Sequence, residues 1–406
     1  MRMNKKVVIL GGGVAGKLIA KILCERFSQV TMVTGGRVEV FQAGQLHVLL
    51  AGGWEILQEH FPQTIAQLEE VCPRVDWGAD SFWVSPVGVM PQLDSGVVTH
   101  TCSRRLLDKL MREEISDLPI EIVNERVTAL NLSSDGDQVN SIETTSSQLS
   151  ADIVIDAMGR TSQTLKWLNK LIDLTVIQKR METELRYSPV TAEFSAGAEP
   201  QQAYYQIDPQ TEGCGGVILP VEDGKVIASY IYMERDPETL WQSIENDRFS
   251  EIASNLENAS PVRKISKLHN VWHLIEKSPK IPTNLFMVGD SVCQFNPVFG
   301  QGMTQALRSS LILCETLANS SVESRTFHRQ QAADLKFPWI MATLDPYNPK
   351  VKLTNRQRMM RWWVYKQMKL AKKNPTFQRR LIEVLHMKTT PTSLYRFKYL
   401  ISTFLS

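Results

Sequence analysis

A glycine-rich turn near the N-terminus most restricts how this chain of 406 residues can fold. The buried-strand pattern of residues 6–10 leads directly into GGGVAG (11–16), and residues 17–27 then show the apolar spacing of a helix. A second apolar run at 30–33 completes a β-α-β unit, the context in which G-x-G-x-x-G indicates dinucleotide binding. The predicted dinucleotide contacts are Gly11, Gly13, Val14, Ala15 and Gly16.

The residue that closes the second strand departs from this pattern. An Asp or Glu normally stands there and accepts hydrogen bonds from the ribose hydroxyls, but this chain has Thr34. A threonine can make one such bond and supplies no bidentate carboxylate, which costs on the order of 1 kcal/mol of cofactor affinity. We therefore predict that Thr34 contacts the cofactor and is the weakest part of the site.

Two later apolar runs also end in polar turns that contain glycine. Residues 151–155 lead into DAMGRTS (156–162), and residues 285–288 lead into GDSVCQFNPVFGQGMT (289–304), which opens a helical pattern. Ligands bind at the carboxyl edge of open α/β sheets, and a helix N-terminus offers free N–H groups. We therefore expect both turns to converge with the N-terminal glycines on one extended ligand.

Composition excludes several other classes of protein. No apolar run approaches the roughly 18 to 20 residues of a membrane span, and the charged N-terminal segment has too short an apolar run for a signal peptide. We therefore expect a cytoplasmic protein. The six cysteines form no C-x-x-C pair, which argues against a metal site and against a disulfide framework.

The segment 185–274 has a β-rich texture that differs from the rest of the chain. In residues 225–233 both alternating faces are largely apolar, so one face is core and the other is either covered or forms the roof of a pocket. Three parts are predicted. They are a discontinuous nucleotide-binding domain (1–70, 96–184 and 275–330), a β-rich substrate domain (71–95 and 185–274) and a basic C-terminal helical region (331–406).

The C-terminal region concentrates positive charge. Residues 350–406 contain 14 Lys or Arg and a single acid, Glu383, whereas the remainder carries a net charge of about −11. The predicted apolar stripe is Met360, Trp363, Val364, Gln367, Leu370 and Ala371, and the adjacent basic stripe is Arg358, Arg361, Tyr365, Lys369 and Lys372. This pattern fits either a packed terminal helix or peripheral contact with an anionic membrane surface. No recognisable motif indicates nucleic-acid binding.

The three glycine-bearing motifs agree in order and spacing with a known family. Together they resemble the FAD-dependent monooxygenases of the para-hydroxybenzoate hydroxylase-like fold, and the third motif is most similar to the polyether-type polyene epoxidase subgroup. Further matching positions are Gln42, Gly44, His47, Leu49, Leu50, Ser103, Arg104 and Leu107. Gln45 departs from the subgroup, which tends to have a basic residue there. The resemblance implies an α/β fold, namely a Rossmann-like FAD-binding domain of the GR2 type with an inserted mixed β-sheet and a C-terminal helical region.

The resemblance also implies roles for individual residues. Arg104, which opens a predicted helix, would reach the ribose or pyrophosphate of FAD, and Val127 would meet adenine through its backbone. Asp290, which follows Gly289, would bond the ribityl chain. The second fingerprint, associated with FAD and passing NADPH, would comprise Asp156, Gly159 and Arg160. The residues implied beside the isoalloxazine ring are Pro297, Gly300, Gln301, Gly302 and Met303.

The implied activity uses NAD(P)H and O2, and oxygen is delivered through a C4a-hydroperoxyflavin to a large hydrophobic substrate such as a polyene, terpenoid or aromatic compound. Epoxidation needs no protein base, whereas phenol hydroxylation does, and His47 is the only weak candidate for that role. The alternatives are a non-oxygenating reductase or cyclase of the same fold and an FAD-poor binding protein. The absence of a W-x-W-x-I-P segment counts against a halogenase.

Overall fold

The computed structural model describes residues 2–35, 48–172, 174–206, 213–233, 247–261, 264–266, 268–318, 323–344, 347–348 and 351–395. The predictions for Gln42, Gly44, Gln45 and His47 therefore lie outside the described residues.

Within these ranges, the α-helices are α1 (Val14–Leu23), α2 (Ala51–His60), α3 (Pro62–Val71), α4 (Arg104–Glu114), α5 (Thr164–Ile172), α6 (Asp247–Ser254), α7 (Gln301–Ala318), α8 (Ser324–Ala342), α9 (Asn355–Lys373) and α10 (Pro375–Leu385). The strands are β1 (Met3–Leu10), β2 (Phe27–Val33), β3 (Arg74–Asp76), β4 (Ser81–Ser85), β5 (Gly88–Val89), β6 (Val98–His100), β7 (Glu121–Val123), β8 (Val127–Leu132), β9 (Val139–Thr144), β10 (Gln148–Ser150), β11 (Ile153–Asp156), β12 (Gln178–Met181), β13 (Arg186–Phe194), β14 (Gln202–Tyr205), β15 (Cys214–Pro220), β16 (Lys225–Tyr232), β17 (Leu256–Glu257), β18 (Asn270–His273), β19 (Leu285–Met287) and β20 (Cys293–Gln294).

A five-stranded parallel sheet in the order β19-β11-β1-β2-β7 forms the centre of the nucleotide-binding part. The last four residues of β1 are buried, because helices α1 and α7 cover one face and the β8–β10 sheet with α5 covers the other. The register aligns Leu10 with Val33, Asp156 and, through Asp156, with Met287. The turns that follow these strands therefore leave the sheet at one edge.

A second, seven-stranded mixed sheet has the order β17-β13-β16-β15-β14-β4-β5. Tyr230 and Tyr232 of β16 pack on one face of this sheet against Phe249 of α6. Ser229 and Ile231 point to the other face, which lines a large cavity. Of the two arrangements predicted for residues 225–233, the structure therefore has the one in which the second face lines a pocket.

The C-terminal helices pack on the edge of this second sheet. Helix α9 begins with a capping box between Thr354 and Gln357, and α10 begins at Pro375. The Lys372 ammonium donates to the Val87 carbonyl, and the Gln378 amide donates to the Pro91 carbonyl. Part of the predicted apolar stripe is thus buried against the protein, namely Gln367, Leu370 and Ala371.

Two predicted boundaries were wrong. The first helix was expected over 17–27 but spans Val14–Leu23, because it starts directly after Gly13 and Phe27 already opens β2. The alternating apolar pattern of residues 120–127 predicts a single strand. They instead divide between β7 in the parallel sheet and β8 in the β8–β10 sheet, with a short loop between them. In the described part of the chain, no helix combines the length and apolar character needed to span a bilayer.

Candidate functional site

A single cavity of about 1340 Å³ lies between the edge of the parallel sheet and the face of the seven-stranded sheet. Most of the residues predicted to bind the cofactor line it. They are Gly11, Gly13, Val14, Ala15, Thr34, Arg104, Val127, Gly159, Arg160, Gly289, Asp290, Pro297, Gly300, Gln301, Gly302 and Met303. The three glycine-bearing motifs therefore converge on one space, because their strands share an edge.

The N-terminal glycines form a turn that is tight on one side and open on the other. Gly11 has φ +110°, and a Cβ added there would lie 2.5 Å from the Ala157 carbonyl oxygen. A Cβ on Gly16 would lie only 1.9 Å from the Gly11 oxygen, so Gly16 serves helix–strand packing and does not line the cavity. A Cβ on Gly13, by contrast, would meet nothing within 4 Å. The open space beside Gly13 at the N-terminus of α1 fits the approach of a diphosphate.

A cluster of cations flanks this turn. The Lys17 ammonium lies 2.5 Å from Asp108 Oδ1, and Arg112 Nη2 lies 3.1 Å from Asp108 Oδ2. Burial lowers the pKa of Lys17 to about 8, although the Asp108 carboxylate favours its charged form. Three cations, including Arg104, thus surround one carboxylate. This excess positive charge suits an anionic group of the ligand.

Arg104 occupies the first turn of α4, where Ser103 caps the helix by accepting a hydrogen bond from the Leu106 N–H. Its side chain is only 7% exposed and contacts the Met303 sulfur. Among the residues that the structure describes, its Nε has no hydrogen-bond partner. An unpaired buried guanidinium nitrogen in a cavity wall is consistent with a ligand contact. The contact of Arg104 with the cofactor stays a prediction.

The loop before α7 forms a second helix entrance into the cavity. The Asn296 side chain accepts a hydrogen bond from the Val298 N–H, and Gly300 takes the left-handed conformation with φ +63°. Helix α7 then begins, so its first backbone N–H groups lie beside the cavity with the residues of the third motif. Gln301 Oε1 is buried and has no partner within the described ranges. This entrance fits the electron-rich edge of a flavin ring.

The second motif contributes an ion pair to the cavity wall and a buried support beneath it. Arg160 Nε lies 2.9 Å from Asp290 Oδ2. Asp156 was predicted to contact the cofactor, but the structure does not bring its carboxylate to the cavity. The Asp156 carboxylate is fully buried, accepts hydrogen bonds from the Met158 N–H and the Ser162 hydroxyl, and holds the turn in place. Burial raises the pKa of Asp156.

At the far end of the cavity, Thr34 donates its hydroxyl hydrogen to Asn124 Oδ1 at 2.6 Å. Asn124, Glu125 and Arg126 also line the cavity, beside Val127. Sequence reasoning missed these three residues because it continued a strand through them. A short polar break between two apolar runs at 124–126 was the signal that could have found them.

The face of the seven-stranded sheet and the C-terminal helices supply the rest of the wall, which sequence reasoning did not resolve into residues. Tyr187, Gln202 and Tyr204 come from the sheet, and His386 follows α10. The His386 ring packs against Trp77 with centroids 4.4 Å apart and the ring planes tilted by 50°. Burial lowers the pKa of His386 to about 3.

A Rossmann-like parallel sheet with a cation-flanked glycine turn, combined with a second sheet across a shared cavity, defines this protein as a dinucleotide-binding protein of the α/β class. The chain belongs to the FAD binding domain family, whose model FAD_binding_3 matches residues 4–326. FAD is therefore its cofactor, and the orphaned nitrogen of Arg104 and the open space at Gly13 fit that molecule.

The chain is also similar to proteins of known sequence or structure. The chain is 22% identical over 332 residues to Protein Rv3254 of Mycobacterium tuberculosis (strain ATCC 25618 / H37Rv), covering 73% of this chain and 69% of that protein. A flavoprotein/dehydrogenase from Cytophaga hutchinsonii superposes with a TM-score of 0.69 at 14% identity, covering 99% and 98% of the two chains. The p-nitrophenol 4-monooxygenase PnpA from Pseudomonas putida DLL-E4 gives a TM-score of 0.68 at 14% identity, covering 95% and 99%. The predicted fold is confirmed.

Proposed function

We propose that this protein is an FAD-dependent monooxygenase that uses NAD(P)H and O2 to epoxidise or hydroxylate a large, mainly apolar molecule. One observation carries the proposal: the cavity runs without interruption from the FAD-binding loops to the apolar face of the seven-stranded sheet. Its volume of about 1340 Å³ exceeds the roughly 300–1,000 Å³ of a site for a single small ligand. The cavity therefore has room for the cofactor and for a second molecule beside it.

The chain's own residues would hold FAD at the parallel-sheet edge. Gly13 and the N-terminus of α1 would take the diphosphate, and Arg104 with Lys17 would offset its negative charge. The first N–H groups of α7 would stabilise negative charge on the reduced ring. Bound FAD would supply the redox chemistry by taking electrons from NAD(P)H and passing them to O2. The protein would position the substrate and exclude water.

The charges around the cavity favour epoxidation over phenol hydroxylation. In the described part of the cavity, the charged lining side chains lie near the FAD-binding loops. The lining side chains that the seven-stranded sheet contributes are all uncharged. His386 is neutral at physiological pH because burial lowers its pKa to about 3, so it is a weak proton acceptor. Epoxidation needs no protein base, which is consistent with this lining and with the similarity of the third motif to polyene epoxidases.

Oxygen incorporation tests the proposal. The FAD-loaded protein would be incubated with NADPH, isotopically labelled O2 and an apolar extract of host cells, and the products compared by mass spectrometry with a reaction lacking the protein. A monooxygenase transfers one labelled atom to a product and consumes O2 in step with NADPH. NADPH consumption that reduces an extract component without labelling it would favour a reductase of the same fold, and unlabelled isomerisation would favour a cyclase.

We further propose that helix α9 contacts an anionic membrane surface. Met359, Trp362 and Tyr365 are 62%, 46% and 39% exposed and share one face of α9. Arg358 lies on the same face, and the Lys369 ammonium sits 4.9 Å from the Tyr365 ring centroid. Exposed apolar rings among cations match the interface of an anionic bilayer. This surface shares Arg358, Tyr365 and Lys369 with the basic stripe predicted from sequence, whereas part of the predicted apolar stripe is buried against the protein.

Vesicle binding tests the membrane proposal. Full-length protein should sediment with vesicles of phosphatidylglycerol and phosphatidylcholine, and Met359→Glu with Trp362→Glu should reduce the bound fraction at least fivefold. Val71, which is 52% exposed elsewhere on the molecule, provides the control substitution Val71→Glu. Equal binding by the α9 variant and the Val71 variant would contradict the proposal.

A further inference from the structure

The register of the seven-stranded sheet arranges the side chains on its cavity face in rows. One row across five neighbouring strands consists of Pro189, Ser229, Val217, Tyr204 and Trp83. Tyr187 lies two residues from this row on β13, and Gln202 lies two residues from it in the opposite direction on β14. With three strand spacings between β13 and β14, the Cα atoms of Tyr187 and Gln202 are about 20 Å apart. The two residues stand at opposite corners of one apolar face.

Both corner residues carry a buried polar atom without a partner. Tyr187 is 5% exposed and Gln202 is 4% exposed. In the described part of the chain, neither Tyr187 Oη nor Gln202 Oε1 has a hydrogen-bond partner. The other end of the Gln202 amide is engaged, because Nε2 donates to Ser81 Oγ at 2.7 Å. Within the described residues, Trp83 Nε1 of the central row is a third buried atom of this wall without a partner. Buried polar groups are normally paired, so these exceptions on one cavity wall indicate that a ligand completes them.

The electrostatic surroundings of Tyr187 keep it a neutral donor. Burial raises the pKa of Tyr187 well above its ordinary value, and the nearby phenols of Tyr347 and Tyr204 act in the same direction. Burial also raises the pKa of Tyr204, which belongs to the central row. Both phenols therefore remain protonated at physiological pH.

The uncharged side chains on this face of the sheet restrict the charge of a ligand that lies against it. The described side chains that the sheet contributes to the cavity are all uncharged, and Pro189, Val217 and Ile231 make much of the surface apolar. Arg160 acts electrostatically on the Tyr187 phenol, but it is already paired with Asp290. An ionised group placed on this face would therefore lose its hydration without gaining an unpaired counter-ion from the sheet, which is unfavourable. A ligand that fills this part of the cavity is therefore neutral.

We infer that the substrate is a neutral, elongated and mainly apolar molecule with two separated uncharged oxygens. One is a hydroxyl or carbonyl oxygen bound by the Tyr187 hydroxyl, and the other is a hydroxyl that donates to Gln202 Oε1. That this ligand is the substrate rests on the function proposed above. Tyr187 and Gln202 act as specificity-determining residues, and the row between them provides the apolar surface along which the chain or ring system lies.

Three matched probes test this inference by calorimetric titration of the FAD-loaded protein. They are 1,12-dodecanediol, 1-dodecanol and dodecanedioate, which share chain length and differ in their end groups. The diol should bind about tenfold more tightly than the alcohol, and the dianion at least tenfold more weakly than the diol. Tyr187→Phe and Gln202→Leu should each bring the diol to within threefold of the alcohol. The matched control is Tyr232→Phe, which removes a phenol from the opposite face of the same sheet and should preserve the preference for the diol.

A second measurement needs no ligand. Because the Tyr187 hydroxyl is buried without a described partner, Tyr187→Phe should leave the melting temperature of the ligand-free protein unchanged or raise it. Tyr232→Phe should lower it, because the Tyr232 hydroxyl lies 3.1 Å from the Ser188 hydroxyl. A lower melting temperature for both variants would show that the Tyr187 hydroxyl has a structural partner and would overturn the inference.

The binding outcomes are separable from those of the oxygenation experiment, since neither titration nor melting requires NADPH or O2. Tight binding of dodecanedioate, or a diol preference that survives both Tyr187→Phe and Gln202→Leu, would overturn the assignment of the two anchors. A diol preference in a protein that fails to incorporate oxygen would instead overturn only the proposed reaction.

Discussion

Arg160 Nε lies 2.9 Å from Asp290 Oδ2, and this ion pair joins two turns that are 130 residues apart in the sequence. The turns follow β11 and β19, which are neighbours in the parallel sheet. Each turn reverses through a left-handed glycine, Gly159 or Gly289, both with φ +64°. The Arg160 guanidinium also donates to the Phe295 carbonyl. One side chain thus fixes both the second motif and the loop that leads to α7.

We predict that Arg160 and Asp290 are energetically coupled in the folded protein. Arg160→Gln and Asp290→Asn should each lower the free energy of unfolding by about 1 kcal/mol, because the two side chains are only 28% and 23% exposed and solvent screens them incompletely. The double variant should lose little more than either single variant, which a double-mutant cycle by urea unfolding would measure.

A surface pair provides the control for this cycle. Arg248 and Glu251 form an ion pair of similar length in which both side chains are about half exposed or more. The Arg248→Gln and Glu251→Gln cycle should show almost no coupling. Additive losses at Arg160 and Asp290 would mean that their contact does not hold the turns together.

The N-terminal glycines allow cofactor binding to be separated from folding. Gly13→Ala adds a methyl group into open space where the FAD diphosphate would lie, so it should weaken FAD binding at least tenfold while the melting temperature of the ligand-free protein changes little. Gly16→Ala places its Cβ 1.9 Å from the Gly11 oxygen and should destabilise the fold itself. Flavin fluorescence titration and thermal melting would measure both effects. Equal loss of stability in the two variants would contradict this division of roles.

The three glycine-bearing turns could be located from the sequence, because each follows a short apolar run that predicts a buried strand. The register of parallel strands then brings Gly11, Gly159 and Gly289 to one edge without further information. The same reasoning placed Asp156 in the cavity, and it failed because sequence spacing does not say whether a carboxylate faces the ligand or the turn beneath it. In the structure the Asp156 carboxylate is fully buried beneath the turn and accepts its hydrogen bonds there.

The residues that line the cavity opposite the FAD-binding loops could not be predicted from local sequence patterns. Tyr187, Gln202 and His386 line one cavity only because a sheet register and the docking of α10 bring distant segments together. Alternating apolar residues in 225–233 allowed two arrangements, and the choice depended on what covered the second face. Long-range packing supplied that information, and no local pattern encodes it.

The adenosine end of the site provides a prediction about the missing carboxylate. Thr34 donates to Asn124 Oδ1, which turns the amide nitrogen of Asn124 away from Thr34. We expect Asn124 to take over part of the ribose recognition, so Asn124→Leu and Thr34→Val should each weaken FAD binding by about 1 kcal/mol, roughly fivefold. Thr31→Val is the control, because the Thr31 hydroxyl on the same strand bonds Glu121 on the exposed surface. Flavin fluorescence titration would show whether the Thr34 variant differs from the Thr31 variant.

Two buried histidines predict how stability depends on pH. Burial lowers the pKa of His328 to about 4 and that of His386 to about 3, from an ordinary value of 6.5. Between these values and 6.5 the unfolded chain binds protons that the folded chain excludes, so the free energy of unfolding falls as pH decreases from about 7 toward 4. The contribution of His328 alone amounts to about 3 kcal/mol over its interval. Urea unfolding at several pH values would measure it.

Substitution of one histidine isolates its share of this pH dependence. His328→Leu removes a group that is 1% exposed and contacts the Gln331 side chain and the Leu285 backbone. The variant should therefore lose stability less steeply below pH 6.5, by about one proton. If the slopes of the His328 variant and the parent protein coincide, His328 must be accessible to protons in the folded state, and the pH dependence must come from other groups.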